Sequence, residues 1–272
     1  MKNLKKYKAI LFDGDGVLWK KNQPLPGLQE IFELISKINI QWALITNNNT
    51  YTVEDCLDKL TGFGIPAKPH NVYTSSTAAA KYILDKYGQD SRLHVIGVRG
   101  LTKTLEDAGF KFSQGEEIPA GDVKAVVAGM DPLLTYQKVT TAVRLILEGA
   151  EFIATNTDGT YPTPDGIYPG TGMVIGALHY SSGVEPQITG KPHPFIFRTA
   201  LQALGVQCGE TLMVGDRLNT DILGAGQVGI DTAAVLTGIT SLDEISHSDI
   251  KPDFIFEDLI SLRETLSSVY NQ

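Results

Sequence analysis

The sequence predicts an α/β fold built on a doubly wound parallel sheet, with a large inserted α/β domain. Short β-rich runs alternate with segments of helical periodicity, and the same alternation restarts in the middle of the chain. The length of 272 residues, with 42% apolar and 20% charged residues, fits a globular protein of one or two domains. Together these observations favour a core domain that is interrupted by an insertion.

The predicted core strands are mostly apolar runs, as expected for strands that are buried on both faces. They span residues 8–12, 42–46, 72–74, 212–214, 232–236 and 254–256. Between the first two strands, apolar residues from Leu28 to Ile38 keep a helical period behind Pro26, a residue type favoured in the first turn of a helix. A second helix is expected to begin after Thr52 and to end at Gly62.

The insertion is predicted to span residues 88–185, which leaves 1–87 and 186–272 for the core domain. Within it we expect strands at 93–98, 125–129 and 152–155, and helices around 101–108 and 135–148. Its edges are placed at Gly88 and near Gly183, where turn-forming residues interrupt the pattern.

Charge and apolar patterning exclude several classes of protein. The chain has 23 Lys and Arg against 31 Asp and Glu, a net charge of −8, and no basic run, which argues against general nucleic-acid binding. No uninterrupted apolar run is long enough for a transmembrane helix, and the basic N-terminal stretch lacks the apolar segment of a signal peptide. Cys56 and Cys208 are interpreted as small packed residues rather than as a disulfide. We therefore expect a cytoplasmic protein that does not bind membranes.

Two carboxylates follow the first strand, in Asp13-Gly14-Asp15-Gly16. Ligands of open α/β sheets bind at the carboxyl ends of the strands, and two such close carboxylates favour a cation. A hard divalent ion such as Mg²⁺ is therefore indicated. Taken alone, this motif also fits an aspartate-rich turn.

Three further clusters follow strands or precede helices. Thr46 and Asn47 end the second strand and can donate hydrogen bonds to phosphoryl oxygens, although a polar loop that enters a helix has the same composition. Lys191 precedes a helix, where an anion is favoured, although a solvated lysine is an alternative. Asp216 follows a later strand and is a candidate metal ligand. Three roles are open for Asp221: interaction with the helix dipole, orientation of Lys191, or orientation of a metal-bound water.

In this order and spacing, the four clusters resemble those of the haloacid dehalogenase-like hydrolase superfamily. The insertion between the second and third clusters resembles the cap domain of its class IIA, which includes 4-nitrophenyl phosphatases, phosphoglycolate phosphatases and pyridoxal phosphatases. The resemblance covers essentially the whole chain and implies a Rossmann-like core sheet with an inserted α/β cap domain. It also implies a Mg²⁺-dependent phosphomonoester phosphatase that acts on a small phosphorylated metabolite.

The resemblance assigns roles to residues of this chain. Asp13 is expected to be the nucleophile that forms an aspartyl-phosphate, and Asp15 the general acid and base. The side chains of Asp13 and Asp216 and the carbonyl of Asp15 are expected to hold Mg²⁺. The phosphoryl group is then expected to be bound by Thr46, Asn47 and Lys191.

The cap resembles that of class IIA in a segment that corresponds to a substrate-specificity loop, so Asn156, Asp158 and Tyr161 are candidate contacts to the leaving group. Packing of Tyr161 within the loop is an alternative to such a contact. Caps of this class commonly pair two subunits, which implies a homodimer. Two other functions stay open: a receiver-like phosphorylation switch, which the insertion and Asp216 argue against, and a catalytically silent binding protein.

Overall fold

The computed structural model describes residues 4–163 and 165–270. Contacts between residues divide the chain into two compact units. The first unit comprises the described residues up to Thr46, Glu54–Tyr73, and those from Lys191 onward. The second unit comprises Asn47–Val53 and Thr74–Gly190. The chain therefore leaves the first unit and returns to it.

Helices and strands alternate along both units. In chain order they are β1 (Ala9–Phe12), β2 (Trp19–Lys20), β3 (Gln23–Pro24), α1 (Leu28–Lys37), β4 (Gln41–Thr46), α2 (Val53–Gly62), β5 (Val72–Thr74), α3 (Ser75–Tyr87), β6 (Arg92–Ile96), α4 (Arg99–Asp107), β7 (Lys111–Ser113), β8 (Ala125–Ala128), α5 (Tyr136–Leu147), β9 (Glu151–Ala154), β10 (Thr160–Thr163), β11 (Gly166–Pro169), α6 (Thr171–Ser182), β12 (Gln187–Ile188), α7 (Pro194–Leu204), β13 (Thr211–Gly215), α8 (Leu223–Gln227), β14 (Asp231–Val235), α9 (Leu242–His247), β15 (Phe254–Phe256) and α10 (Leu259–Tyr270).

The main sheet of the first unit has the strand order β15-β14-β13-β1-β4-β5. Strand β1 is fully buried and pairs in parallel with β4 on one side and β13 on the other. The chain thus adds strands in one direction from β1 and later in the other, which creates a topological switch point at β1. In open α/β sheets, ligands bind at the carboxyl ends of the strands at such a point.

The second unit contains a separate sheet of strand order β12-β9-β8-β6-β7, whose pairs are parallel. Apolar residues pack in two clusters, one with α5 and α6 and the other with α3 and α4. Strands β10 and β11 form a separate antiparallel hairpin.

The predicted fold class is confirmed, and the expected strands lie within two residues of the observed ones. The short strands β2, β3, β7, β10, β11 and β12 were not predicted, because they lack the apolar, β-rich run that marks the other strands. The second unit contains all of the predicted insertion, and it also includes 47–53, 74–87 and 186–190. The boundaries of the cap domain, 88–185, stay a prediction.

Two findings concern the composition of the described chain. Within residues 4–163 and 165–270, no helix has both the length and the apolar character that a membrane span requires. Cys56 and Cys208 are both free thiols, the first buried and the second half-buried.

Candidate active site

The register of the main sheet aligns three of the predicted residues at one edge. Phe12, the last residue of β1, pairs with Leu44 of β4 and with Val214 of β13. Asp13 therefore follows directly after this row, and Thr46 and Asp216 each follow it by two positions. The backbone N–H of Asp13 donates to the carbonyl of Val214 at 2.9 Å, which continues the ladder as far as the first carboxylate.

Lys191 reaches this edge from the segment before α7 and is buried, with 2% of its surface exposed. Its Nζ donates to Asp13 Oδ1 at 2.5 Å and to Asp221 Oδ1 at 2.7 Å. An ammonium that donates to two buried carboxylates is held in one orientation. The structure thus brings together Asp13, Lys191 and Asp221, which lie far apart in the sequence.

Asp221 is oriented on both of its oxygens. Oδ1 accepts from Lys191, and Oδ2 accepts from the backbone N–H groups of Asp216 at 3.2 Å and Arg217 at 3.1 Å. Gly215 makes this approach possible, since a Cβ at that position would lie 2.2 Å from the Cβ of Asp221. From the sequence, the partner of Asp221 was open between the helix dipole, Lys191 and a metal-bound water. The contact with Lys191 is observed.

Asp216 has one bonded and one unbonded carboxylate oxygen. Oδ2 accepts from the backbone N–H of Ile239 at 2.9 Å. Glycines at 16 and 238 make room for this carboxylate, because a Cβ at either position would lie within 2.5 Å of Oδ2. Oδ1 is buried and has no hydrogen-bond partner. A buried unpaired carboxylate oxygen is costly unless a cation or another ligand completes its environment.

Electrostatics at this edge is dominated by negative charge. Burial, together with the charges of Asp221 and Asp216, raises the pKa of Asp13 against the opposing effect of Lys191. Burial, with Asp221 next, raises the pKa of Asp216 to about 6. Burial alone would lower the pKa of Lys191, but Asp13 and Asp221 together hold it above its ordinary value. Three carboxylates thus face a single ammonium and leave an excess of negative charge.

The donor set fits a divalent cation. Oxygens of Asp13, Asp216 and Asp221 lie within 4.8 Å of one another, and all three residues are buried. Asp221 already accepts from Lys191 and from two backbone amides, so Asp13 and the unbonded oxygen of Asp216 are the better ligands. Hard oxygen donors of this kind match Mg²⁺.

Asp15 lies on the turn after β1, and its side chain is exposed at the rim of the site. Its Oδ1 accepts from the indole Nε1–H of Trp19 at 3.1 Å. The surrounding protein withdraws enough water from the carboxyl to raise its pKa, against the effects of Lys59 and of the indole hydrogen bond. A carboxyl with a raised pKa at the rim is suited to exchange protons with a bound ligand.

The remaining candidates belong to the second unit, where two of them contact Asn47. The Nδ2 of Asn47 donates to both oxygens of Asp158, at 3.1 and 3.2 Å. Asn156 is buried, and its Nδ2 donates to the backbone carbonyl of Asn47 at 2.8 Å while its Oδ1 accepts from the N–H of Asp158. Asn156 and Asp158 therefore orient Asn47. Tyr161 is half-buried on β10 with its ring edge-on to Tyr168 at 6.1 Å.

Several of these partners were not found from the sequence. Asp158 lies 111 positions from the asparagine that it contacts, and no local pattern joins the two. Asn49 is buried and donates to the hydroxyls of Thr155 and Thr171, so it fastens the segment after β4 to the rest of the second unit. Trp19 is four residues from Asp15, and that spacing was the only available signal of their contact.

Comparisons with known proteins match this arrangement. Residues 10–111 fit the family model described as haloacid dehalogenase-like hydrolase, and residues 188–262 fit the one described as HAD-hydrolase-like. An acid sugar phosphatase of Staphylococcus epidermidis is 36% identical over 256 residues, which cover 94% of this chain and 96% of the relative. The chain belongs to the haloacid dehalogenase-like hydrolases.

Solved structures of this family agree closely with the fold of this chain. A p-nitrophenyl phosphatase from Archaeoglobus fulgidus has a TM-score of 0.88 at 30% identity, covering 95% of this chain and 99% of that one. A 4-nitrophenylphosphatase from Thermotoga maritima has a TM-score of 0.87 at 30% identity, covering 95% and 97%. These matches confirm the prediction of a class IIA haloacid dehalogenase-like phosphatase. A receiver-like switch is accordingly disfavoured.

Proposed function

We propose that this hydrolase is a Mg²⁺-dependent phosphomonoesterase that acts through an aspartyl-phosphate on Asp13. The observation that carries the proposal is the buried contact of 2.5 Å between Asp13 and Lys191, in a cluster where Asp216 has an unbonded oxygen. This cluster at the switch point of one sheet supports the assignment of Asp13 as the nucleophile, Lys191 as the phosphate-binding cation and Asp216 as a metal ligand.

The proposed reaction has two steps. A carboxylate oxygen of Asp13 bonds to phosphorus as the ester oxygen leaves, and Asp15 donates a proton to that oxygen. Water then attacks the phosphorus of the aspartyl-phosphate while Asp15 takes its proton, and inorganic phosphate is released together with free Asp13. Because the same carboxyl gives and regains one proton, the enzyme returns to its starting state.

Several residues are proposed to bind the phosphoryl group and the metal. Lys191, oriented by Asp221, would provide a positive charge beside the nucleophile. Thr46, the last residue of β4, and Asn47, the next residue, would donate hydrogen bonds to the phosphoryl oxygens. The side chains of Asp13 and Asp216 and the carbonyl of Asp15 would hold Mg²⁺, which when bound neutralises charge on the phosphoryl oxygens. A relative from Mycobacterium tuberculosis, a glycerol phosphate phosphatase, was solved in complex with magnesium; its TM-score is 0.84 at 28% identity, covering 94% of this chain and 76% of that one.

The proposed substrates are small phosphorylated metabolites, with sugar phosphates as the first candidates and 4-nitrophenyl phosphate as a generic substrate. The names of the Staphylococcus epidermidis and Archaeoglobus fulgidus relatives support this class. Asn156, Asp158 and Tyr161 are retained as candidate specificity residues, the first two acting through the orientation of Asn47.

The test is phosphate release from a panel of esters, measured with Mg²⁺ and with EDTA. The panel contains 4-nitrophenyl phosphate, sugar phosphates, phosphoglycolate, pyridoxal phosphate and nucleoside monophosphates. Metal-dependent release that is lost in Asp13→Asn and kept in the exposed control Asp90→Asn is the expected result. Release that persists in Asp13→Asn would refute the assignment of the nucleophile.

We also propose that the chain forms a homodimer through the second unit. Leu133, Tyr136 and Tyr180 are 78%, 83% and 89% exposed, and the helices α5 and α6 that hold the two tyrosines pack against each other. These exposed apolar side chains are the candidate contacts to a second copy of the chain. Light scattering should give a mass near twice 29.5 kDa; a mass near 29.5 kDa would reject the dimer. A cytoplasmic location stays a prediction.

A further inference from the structure

We propose that Trp19 is a positioning residue for the proton transfers of Asp15, an inference that rests on the proposed function. The indole Nε1–H donates to Asp15 Oδ1 at 3.1 Å. The indole is a donor only, so the oxygen it contacts must remain an acceptor. When Asp15 is protonated, its proton is therefore on Oδ2, and the indole fixes which oxygen acts as the acid.

Asp15 needs such a partner because it occupies an exposed position on the turn. A carboxylate there samples several rotamers, and ordering it has an entropic cost at every turnover. The hydrogen bond to the indole removes part of that freedom before a substrate binds. Backbone contacts reinforce it, since the N–H of Gly16 donates to the carbonyl of Trp19 at 2.7 Å and the N–H of Trp19 to the carbonyl of Gly14 at 3.1 Å.

The indole itself is firmly held. Trp19 is 2% exposed, and its ring packs on Gly14 so closely that a Cβ there would lie 2.5 Å from the indole Cζ2. On the ring, the Nζ of Lys59 lies 4.5 Å from the centroid, within the range of a cation–π interaction. That ammonium also donates to the carbonyl of Lys21 at 2.7 Å. The donor that contacts Asp15 thus belongs to a rigid assembly.

The chain offers a matched control for this residue. It has two tryptophans, and the other, Trp42, is half-buried on β4, where its ring meets Phe32 edge-on at 4.7 Å. Trp42→Phe makes the same chemical change at a site remote from Asp15 in the sequence and without a contact to it among those observed. Trp19→Phe removes the indole N–H and keeps an aromatic ring.

A second replacement preserves the shape of the indole. In a Trp42→Phe background, Trp19 is the sole tryptophan, so expression in a tryptophan auxotroph supplied with benzothienylalanine replaces this one indole. The analogue has sulfur in place of N–H and nearly the same volume. It tests the hydrogen bond even if Trp19→Phe fails to fold.

The readout is the dependence of kcat/KM on the leaving group across substituted phenyl phosphates. A good leaving group such as 4-nitrophenolate departs without protonation, whereas phenolate requires the acid. We expect both Trp19 replacements to lose about tenfold more kcat/KM on phenyl phosphate than on 4-nitrophenyl phosphate, a part of the roughly 100-fold or more that general acid catalysis contributes. Trp42→Phe should keep the wild-type dependence.

The results that would overturn the inference can be told apart from failure of the proposed function. Equal losses on both esters, or no loss, in an otherwise active enzyme would mean that Trp19 only packs the turn. If wild-type protein hydrolyses neither ester in Mg²⁺, both the proposed function and this inference are refuted. If the Asp13→Asn variant turned over as fast as wild type, the mechanism alone would be refuted.

Discussion

The buried carboxylate of Asp216 should destabilise the metal-free protein at neutral pH. Burial, with Asp221 next, raises its pKa from the ordinary 3.8 to about 6, so the folded state binds this proton more tightly than the unfolded chain. Stability attributable to this group is therefore lost as pH rises from about 3.8 to 6. At about 1.4 kcal/mol for each pKa unit, the full cost is about 3 kcal/mol.

The substitution Asp216→Asn removes the charge and keeps an oxygen that can accept from the N–H of Ile239. In EDTA we expect the variant to be more stable than wild type by about 1 kcal/mol at pH 4.5 and by about 3 kcal/mol at pH 7.5. Urea unfolding at intervals between these two pH values measures the difference. Asp90→Asn, the change of an exposed carboxylate, serves as the control and should show no such trend.

Added Mg²⁺ should reverse the ranking, because a cation bound by Asp13 and Asp216 in the folded state alone stabilises it increasingly as the Mg²⁺ concentration rises above the dissociation constant. Wild-type protein is expected to gain stability at pH 7.5 and Asp216→Asn to gain much less. The reasoning would be refuted if metal-free Asp216→Asn were less stable than wild type at pH 7.5. That result would mean that this carboxylate is stabilised by its contacts rather than repelled by its neighbours.

Two further predictions follow from burial. A Cβ at Gly238 would lie 1.9 Å from Asp216 Oδ2, so Gly238→Ala should displace this carboxylate and lower both Mg²⁺ affinity and turnover. The control Gly209→Ala, which has open space around its Cβ, should change neither. Equal Mg²⁺ titrations of the two variants would contradict this prediction. Burial lowers the pKa of His94, so below pH 6.5 the unfolded chain binds a proton more readily than the folded chain does. The free energy of unfolding therefore decreases as the pH is lowered. His94→Gln should lose this part of the acid sensitivity in urea unfolding, and the exposed His70→Gln should keep it; parallel pH profiles for both would count against the account.

The sequence predicted the parts of the site that follow from the order of strands. Asp13 and Asp216 come directly after buried strands and Thr46 ends another, and the edge of a parallel sheet brings such residues together whatever their separation in the chain. The contact of Lys191 with Asp13 spans 178 positions and was not predicted. The helix that follows Lys191 and the resemblance to the family had indicated only that Lys191 binds an anion.

Side-chain orientation was harder to predict. Asn47 was expected to bind phosphate, and that stays a prediction. Its contact with Asp158 was not foreseen and arises because the segment after β4 belongs to the second unit. Asp158 and Asn156 were expected to contact a leaving group, and the structure shows them oriented towards Asn47. Which side chain satisfies a given amide depends on packing among residues distant in sequence, and single-chain periodicity contains no information on it.

The central claim is that Asp13 accepts the phosphoryl group while Asp15 handles the proton. The most direct measurement is rapid mixing of Asp15→Asn with 4-nitrophenyl phosphate and Mg²⁺, followed by acid quench and mass spectrometry of peptides. Because 4-nitrophenolate leaves without an acid while hydrolysis needs the base, we predict a burst of one 4-nitrophenolate per enzyme and a phosphorylated peptide that contains Asp13. Absence of a burst together with no phosphoryl group on Asp13, or a label on another residue, would contradict the account.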